Sequence, residues 1–331
     1  MINIFLNNLK VNSLMLNLSL SCSSFILIFV LMLFVSFQEY YFPAFSVDNN
    51  TSMKTTINGN SSNTISVNET NNWIETIRSG NTPFSVAVNQ ETNRIYVTND
   101  FDNTISVIDG ATNTVSTTIQ VGNWAHSVTV NPQTNKVYVS NFNDNTISVI
   151  DGATNTVITT IQVGHGPTGI AVNPQTNKVY VSNFNDDTIS VIGGATGTGI
   201  TTIQVGREPT GIAVNPETNM VYVTNSFDDT ISVIDGATNT VSTTIQVGNG
   251  PTGIAVNPQT NMVYVSNFND NIISVIDGAT NTVSTTIQVG GGPFAVAVNP
   301  QTNMVYVTNS FDDTISVIDG STNTVSATIA V

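Results

Sequence analysis

Six aspartates recur along this chain at a spacing of 42 residues: Asp102, Asp144, Asp186, Asp228, Asp270 and Asp312. Each lies in a short run of Asn and Asp. In residues 138–149, YVSNFNDNTISV, the side chains of Asn141, Asn143 and Asn145 take the 1-3-5 spacing of a calcium loop. Calcium takes six to eight oxygen ligands and enough carboxylates to offset its dehydration. These runs lack both the glycine at position six and the bidentate glutamate at position twelve. A tight link built from Asx turns calls for the same residue types without a metal. The runs thus have two readings, a structural turn carrying a ring of carboxylates or a weak calcium site on those six aspartates. No other cofactor is expected.

Catalytic groups are scarce. The chain has two histidines, His126 and His165, and one cysteine, Cys22. No phosphate loop or CxxCH is present, no Ser-His-Asp set can be assembled from one repeated position, and two histidines make a poor transition-metal site. An active site needs different groups converging on one reacting atom, whereas near-identical repeats supply copies of the same group. A non-enzymatic protein is the expectation. The residues that break the repetition are Asn123, Trp124 and His126, then His165, then Arg207 with Glu208. An exposed aromatic beside an imidazole suits carbohydrate or a protein partner, so Trp124, His126, His165, Arg207 and Glu208 are the candidate binding residues.

The elements that must carry these groups are strands. Thr, Val, Ile, Asn and Gly dominate, charged residues make up 9%, and no run favours helix. From Pro83 the chain repeats with a period of 42, in copies starting at Pro83, Ala125, Pro167, Pro209, Pro251 and Pro293. The fourth and fifth copies differ at only 7 of 42 positions, so the repeat is close to exact duplication. Each copy holds four strand signals, which in the third copy are 169–172, 178–182, 188–192 and 200–205, separated by Asn-Pro, Asn-Asp and Gly-rich turns. Four strands per copy, arrayed so that each sheet is covered by its neighbours, define a β-propeller blade. A parallel β-helix competes, but its coils need a shorter repeat, and the compact turns favour antiparallel hairpins.

In a four-stranded meander the link between strands two and three lies on the same face as the link between blades. The acidic ring and the divergent residues therefore share one face. Repeat arrays concentrate binding on one face.

The recurring Tyr96-Val-Thr-Asn99, Tyr138-Val-Ser-Asn141, Tyr180-Val-Ser-Asn183, Tyr222-Val-Thr-Asn225, Tyr264-Val-Ser-Asn267 and Tyr306-Val-Thr-Asn309 resemble the YVTN β-propeller repeat family. The resemblance covers residues 63–331. It implies a propeller, commonly of seven blades, and the setting of archaeal surface-layer and other cell-surface proteins. Propellers with lactonase, lyase or quinone-dependent dehydrogenase activity place substrates over the central channel, and that is the alternative function. Tyr is expected to pack between blades, Asn-Pro to turn strand one into strand two, and Asp-Gly to turn strand three into strand four. Copy three carries Gly193 in place of that Asp, so the carboxylate is dispensable to the turn.

Ahead of the first copy, residues 63–67 and 73–78 (NTISV and WIETIR) repeat the signals of strands three and four. The expectation is six full blades plus an N-terminal half-blade, with seven-blade curvature and an incomplete seventh blade or a truncated gene product. A closed six-bladed ring with a dangling hairpin is the other arrangement.

Residues 1–46 read as a signal peptide or a signal anchor, either of which exports the downstream chain: Val11 to Phe37 holds no charge, and Ala44-Phe-Ser46 offers a small-x-small cleavage site. Residues 47–62 form a polar linker, and acceptor triplets begin at Asn49, Asn50, Asn60 and Asn68. An extracellular or cell-surface location is expected, with the membrane touched only through the N-terminal segment. With 22 acidic against 7 basic residues the net charge is −15, which repels nucleic acid. The partners expected are an envelope glycan or a protein, and near-identical neighbouring strands favour some homo-oligomer by swapping.

Overall fold

A computed structural model describes residues 76–331, with Thr196 and the side chain of Ile200 excepted. The N-terminal apolar segment, the linker and residues 63–75 of the hairpin read as a half-blade lie outside the described residues. From Pro83 the chain forms six four-stranded antiparallel sheets, each a simple meander in sequence order. In blade one the strands are β1 (Pro83–Asn89), β2 (Arg94–Asn99), β3 (Thr104–Asp109) and β4 (Thr114–Gln120). The described chain is thus an all-β, six-bladed propeller. In copy three the first strand runs Pro167–Asn173 and the last Thr198–Gln204, so inner strands start earlier than β-branched residues alone suggest.

The period-2 alternation explains how blades stack. In β2, Tyr96 points toward blade two while Ile95 and Val97 face the other way. In β3, Ile105 and Val107 face blade two and Ile108 faces back. The forward set meets Val128, Val137, Val139 and Ile150 of blade two in one apolar cluster. The same cluster recurs at every junction up to that between blades five and six. Both faces of a blade's middle strands are therefore buried, which is why TISV and YVTN run apolar on both sides. The fourth strand lies outermost and is rich in exposed Thr and Ser.

The tyrosines of blades one to five fill the slot expected of them, each packed into the junction with the next blade. Burial pushes their hydroxyls up, that of Tyr180 to about 12, so they remain neutral. The two ends of the array differ from its interior. Inner strands of successive blades pack side by side, but among the described residues no packing of comparable extent joins the inner strand of blade six (Pro293–Asn299) to β1. Tyr306, Ile315 and Val317 form a forward cluster with no described blade ahead of them. Val86, Ile95, Val97 and Ile108 form a backward cluster covered by Ile77, which sits one repeat before Ile119. Ile329 is 40% exposed, whereas its counterparts Ile119, Ile161, Ile203, Ile245 and Ile287 are 5–7% exposed.

Candidate functional site

The acidic ring clamps the links between blades. Asp144 Oδ2 accepts the backbone N–H of Asn123 at 2.8 Å, and Asp102, Asp186, Asp228, Asp270 and Asp312 do the same for Asn81, His165, Arg207, Asn249 and Gly291. In the five links between described blades the next N–H is held from the blade behind: Trp124 donates to Asn103 Oδ1, Gly166 to Asn145, Glu208 to Asp187, Gly250 to Asp229 and Gly292 to Asn271. These holders sit in the left-handed region, with φ near 57° at Asn103, Asp229 and Asn271, a conformation Asn and Asp tolerate. Each of these five links is thus pinned to both of its blades, and side chains project from a fixed backbone.

The pinning leaves its mark on the carboxylates. Asp228 is held below the usual carboxylate range, first by the Arg207 N–H and then by its guanidinium, whose Nε lies 2.6 Å from Oδ1. Asp186 is lowered in the same way by the backbone and ring of His165. Asp270 is lowered by the side chain and then the backbone of Asn249. The aspartates stand one per blade. Among the described residues no group of three or more His, Cys, Asp or Glu side chains could hold a metal ion.

The candidate binding residues divide. His165 spends its ring on Asp186 at 2.8 Å, and Arg207 pairs with Asp228 while its guanidinium lies 4.0 Å over the Phe227 ring. His165 stands at the junction of blades two and three, and Arg207 with Glu208 at that of blades three and four. Trp124 and His126 come together, joined by a residue the sequence did not mark, Asp100. Trp124 Nε1 donates to Asp100 Oδ2 at 3.0 Å, and His126 Nδ1 lies 3.6 Å from the same oxygen. Phe84 stacks on His126 with ring centroids 4.1 Å apart, and Phe101 and Phe142 flank Trp124 at 6.1 and 5.8 Å.

Asp100 is 5% exposed, and its Oδ1 has no hydrogen-bond partner. Burial pushes its carboxyl up, and the pull of His126 and Trp124 only partly offsets this. The cluster opens into a cleft of about 430 Å³ walled by Asp100, Phe101, Trp124, Asn143 and Asp144. The signal for Asp100 was present in the repeat. Its counterparts are Phe142, Phe184, Ser226, Phe268 and Ser310, so only blade one places a carboxylate there. Three departures from the repeat, Asp100, Trp124 and His126, thus converge between blades one and two.

Residues 167–262 match the model of the YNCE-like β-propeller family. No curated protein matches the chain. A solved structure titled "Kuenenia stuttgartiensis Hydrazine Synthase" superposes with a TM-score of 0.52 at 15% identity, covering 72% of this chain and 95% of that one. At that identity the likeness shows the fold alone. The family match over blades three and four and the start of blade five, with the six-bladed architecture, supports a YVTN-like β-propeller. Among the described residues no helix is long and apolar enough to cross a membrane.

Proposed function

We propose that this protein is an exported, non-enzymatic β-propeller of the cell surface, structural or adhesive in role. On this reading it recognises an envelope glycan or a protein through the face that carries the links between blades. One observation carries it. The packing residues repeat almost without change, while the side chains that depart from the repeat gather on rigidly pinned links and converge at Asp100, Trp124 and His126. A scaffold that fixes its backbone and varies only the residues on one face is built to present that face. The apolar residues 1–46 and the polar linker 47–62 support export. The acidic surface speaks against nucleic acid.

The test is binding of the full chain, purified from its native membrane or medium fraction, to cells and to isolated envelope polysaccharide. The expected result is saturable binding that Trp124→Ala with His126→Ala abolishes. Saturable binding unchanged in that double variant would overturn the assignment to this face. Intact mass and fractionation of the same preparation check the N-terminal reading, since an uncleaved chain in the cytosolic fraction would refute export.

A further inference from the structure

We propose that the cleft between blades one and two binds an organic cation, an alkylammonium group, with Asp100 as its counter-charge and Trp124 and Phe101 as its walls. The proposal rests on the reading of the link face as a binding face and names its ligand class.

One oxygen of the Asp100 carboxylate is orphaned. A carboxylate removed from water needs hydrogen bonds to both oxygens and a compensating charge. Asp100 has an indole N–H on Oδ2, while Oδ1 is buried and unpaired. Among the described residues no Lys or Arg forms an ion pair with it. His126 Nδ1 lies 3.6 Å from Oδ2, an ion pair only when the imidazole is protonated, and it leaves Oδ1 without a partner. The vacant side of this carboxylate asks for a donor that brings positive charge.

The walls favour the same class. A cation gains from lying against the faces of Trp and Phe. Trp124 is 39% exposed and Phe101 64% exposed, so both present ring surface to the cleft and to solvent. The polar groups that a sugar would need are mostly spent. Asn103 holds the Trp124 N–H and donates to Asn123 Oδ1, and Asn123 Nδ2 donates to Asp144 Oδ1. Asp100 Oδ1 and the amide of Asn143 remain, too few for a ring of hydroxyls. A neutral hydroxyl on Oδ1 would also leave the buried charge uncompensated.

The indole stands at a strained position. Trp124 has φ of 59°, in the left-handed region; the same link position is glycine at Gly166, Gly250 and Gly292 and carries Thr82 and Glu208 in the other two links. Glycine adopts this conformation freely, whereas a side chain is strained by it. Trp124 and Asp100 both wall the cleft, so a cation held there lies beside the indole, which makes Trp124 the reporter of its own site.

The chain has two tryptophans, Trp73 and Trp124. Full-length protein carrying Trp73→Phe therefore reports only the cleft by fluorescence. It would be titrated with n-butylammonium chloride against sodium chloride of equal ionic strength, with 1-butanol and methyl glucoside as neutral probes. A lysine-containing peptide and its Nε-acetylated form separate a protein source from a free amine. The expected result is a saturable change with butylammonium and the unmodified peptide, and none with the butanol, the glucoside or the acetylated peptide. Asp100→Asn, which keeps an acceptor for the indole, is expected to weaken the response roughly tenfold or more, as loss of a charge-assisted contact does. Its melting curve shows whether the fold is intact. A butylammonium curve superimposable on sodium chloride, or one unchanged by Asp100→Asn in a folded variant, overturns the proposal. A response to the glucoside alone also overturns it but leaves the link face a binding face. Failure of the cell-binding test, by contrast, is read from the Trp124 and His126 double variant and does not depend on these probes.

Discussion

Asn173 donates from Nδ2 to Oδ1 of Asn219 in the next blade, 2.7 Å away, from a position with no exposure. The bond recurs from Asn89 to Asn135, Asn131 to Asn177, Asn215 to Asn261 and Asn257 to Asn303. Asn173 Oδ1 meanwhile accepts the N–H of Gln175 and closes the turn into the second strand. One side chain thus shapes its own hairpin and fastens it to its neighbour. Removing it strands a half-buried acceptor on Asn219 and the turn N–H of Gln175.

Asn173→Ala is therefore expected to cost about 1–3 kcal/mol of unfolding free energy, the penalty of a buried polar group left unpaired. Asn299 closes the same turn in blade six through Gln301 and Thr302 but has no described blade ahead of it. Its replacement by Ala should cost measurably less in a urea titration. Equal costs at the two positions would remove the interblade bond as the cause.

Fold and blade boundaries were legible because apolar alternation and turn residues recur six times, and repetition averages out the ambiguity of any one strand. The site was legible only in part. Trp124 and His126 stood out as departures in an exposed link, but Asp100 sits where other copies carry Phe or Ser, and a single acidic residue beside Phe101 resembles the Asn and Asp of the neighbouring turn. What marks it is burial beside an indole 24 positions away, which no local pattern encodes. The second task of the Asn-Pro residue was hidden for the same reason. Its turn is local, whereas its partner lies 46 residues on.

The end of the array gives a second comparison. Ile287 is 5% exposed in the junction of blades five and six, and Ile329 occupies the same place in blade six at 40% exposure. Ile287→Ala should cost about 2–4 kcal/mol, the usual range for a buried aliphatic side chain. Ile329→Ala should cost under about 1 kcal/mol, in proportion to the smaller apolar area it withdraws from water. Chemical denaturation of both variants decides the matter. A large cost at Ile329 would show that its face is covered in solution by something beyond the described blades.

Asp228 supplies a pH test. Its folded carboxyl is held low by the N–H and guanidinium of Arg207. A group lowered in this way adds stability above the ordinary carboxylate value, about 3.9, and loses it as pH falls through the folded value. Asp228→Asn should therefore cost stability at pH 7, by no more than about 1 kcal/mol since both partners are partly exposed. The gap should close below about pH 4 and narrow in high salt. A cost that persists undiminished at about pH 3, below the ordinary carboxylate value, would assign the effect to the hydrogen bonds alone.

Glu208 tests the strain in the links. Its φ is 54°, at the position that three other links fill with glycine. The contacts it makes through the backbone, its N–H to Asp187 Oδ1 and its carbonyl to Ser226, are made equally by Gly250 to Asp229 and by Gly292 to Ser310. Replacing it by glycine thus removes the steric cost of a β-carbon in the left-handed region, about 1–2 kcal/mol, against an entropic cost of about 0.5–1 kcal/mol in the unfolded chain. Glu208→Gly should raise the melting temperature, with a net gain of about 0.5–1 kcal/mol. Trp124→Gly relieves the same strain but forfeits the indole's bond to Asp100 and its packing on Phe101 and Phe142. It should therefore gain less than Glu208→Gly, or lose. If the two variants shift the melting curve alike, the indole contributes nothing to the folded state, and its place beside Asp100 would need another explanation.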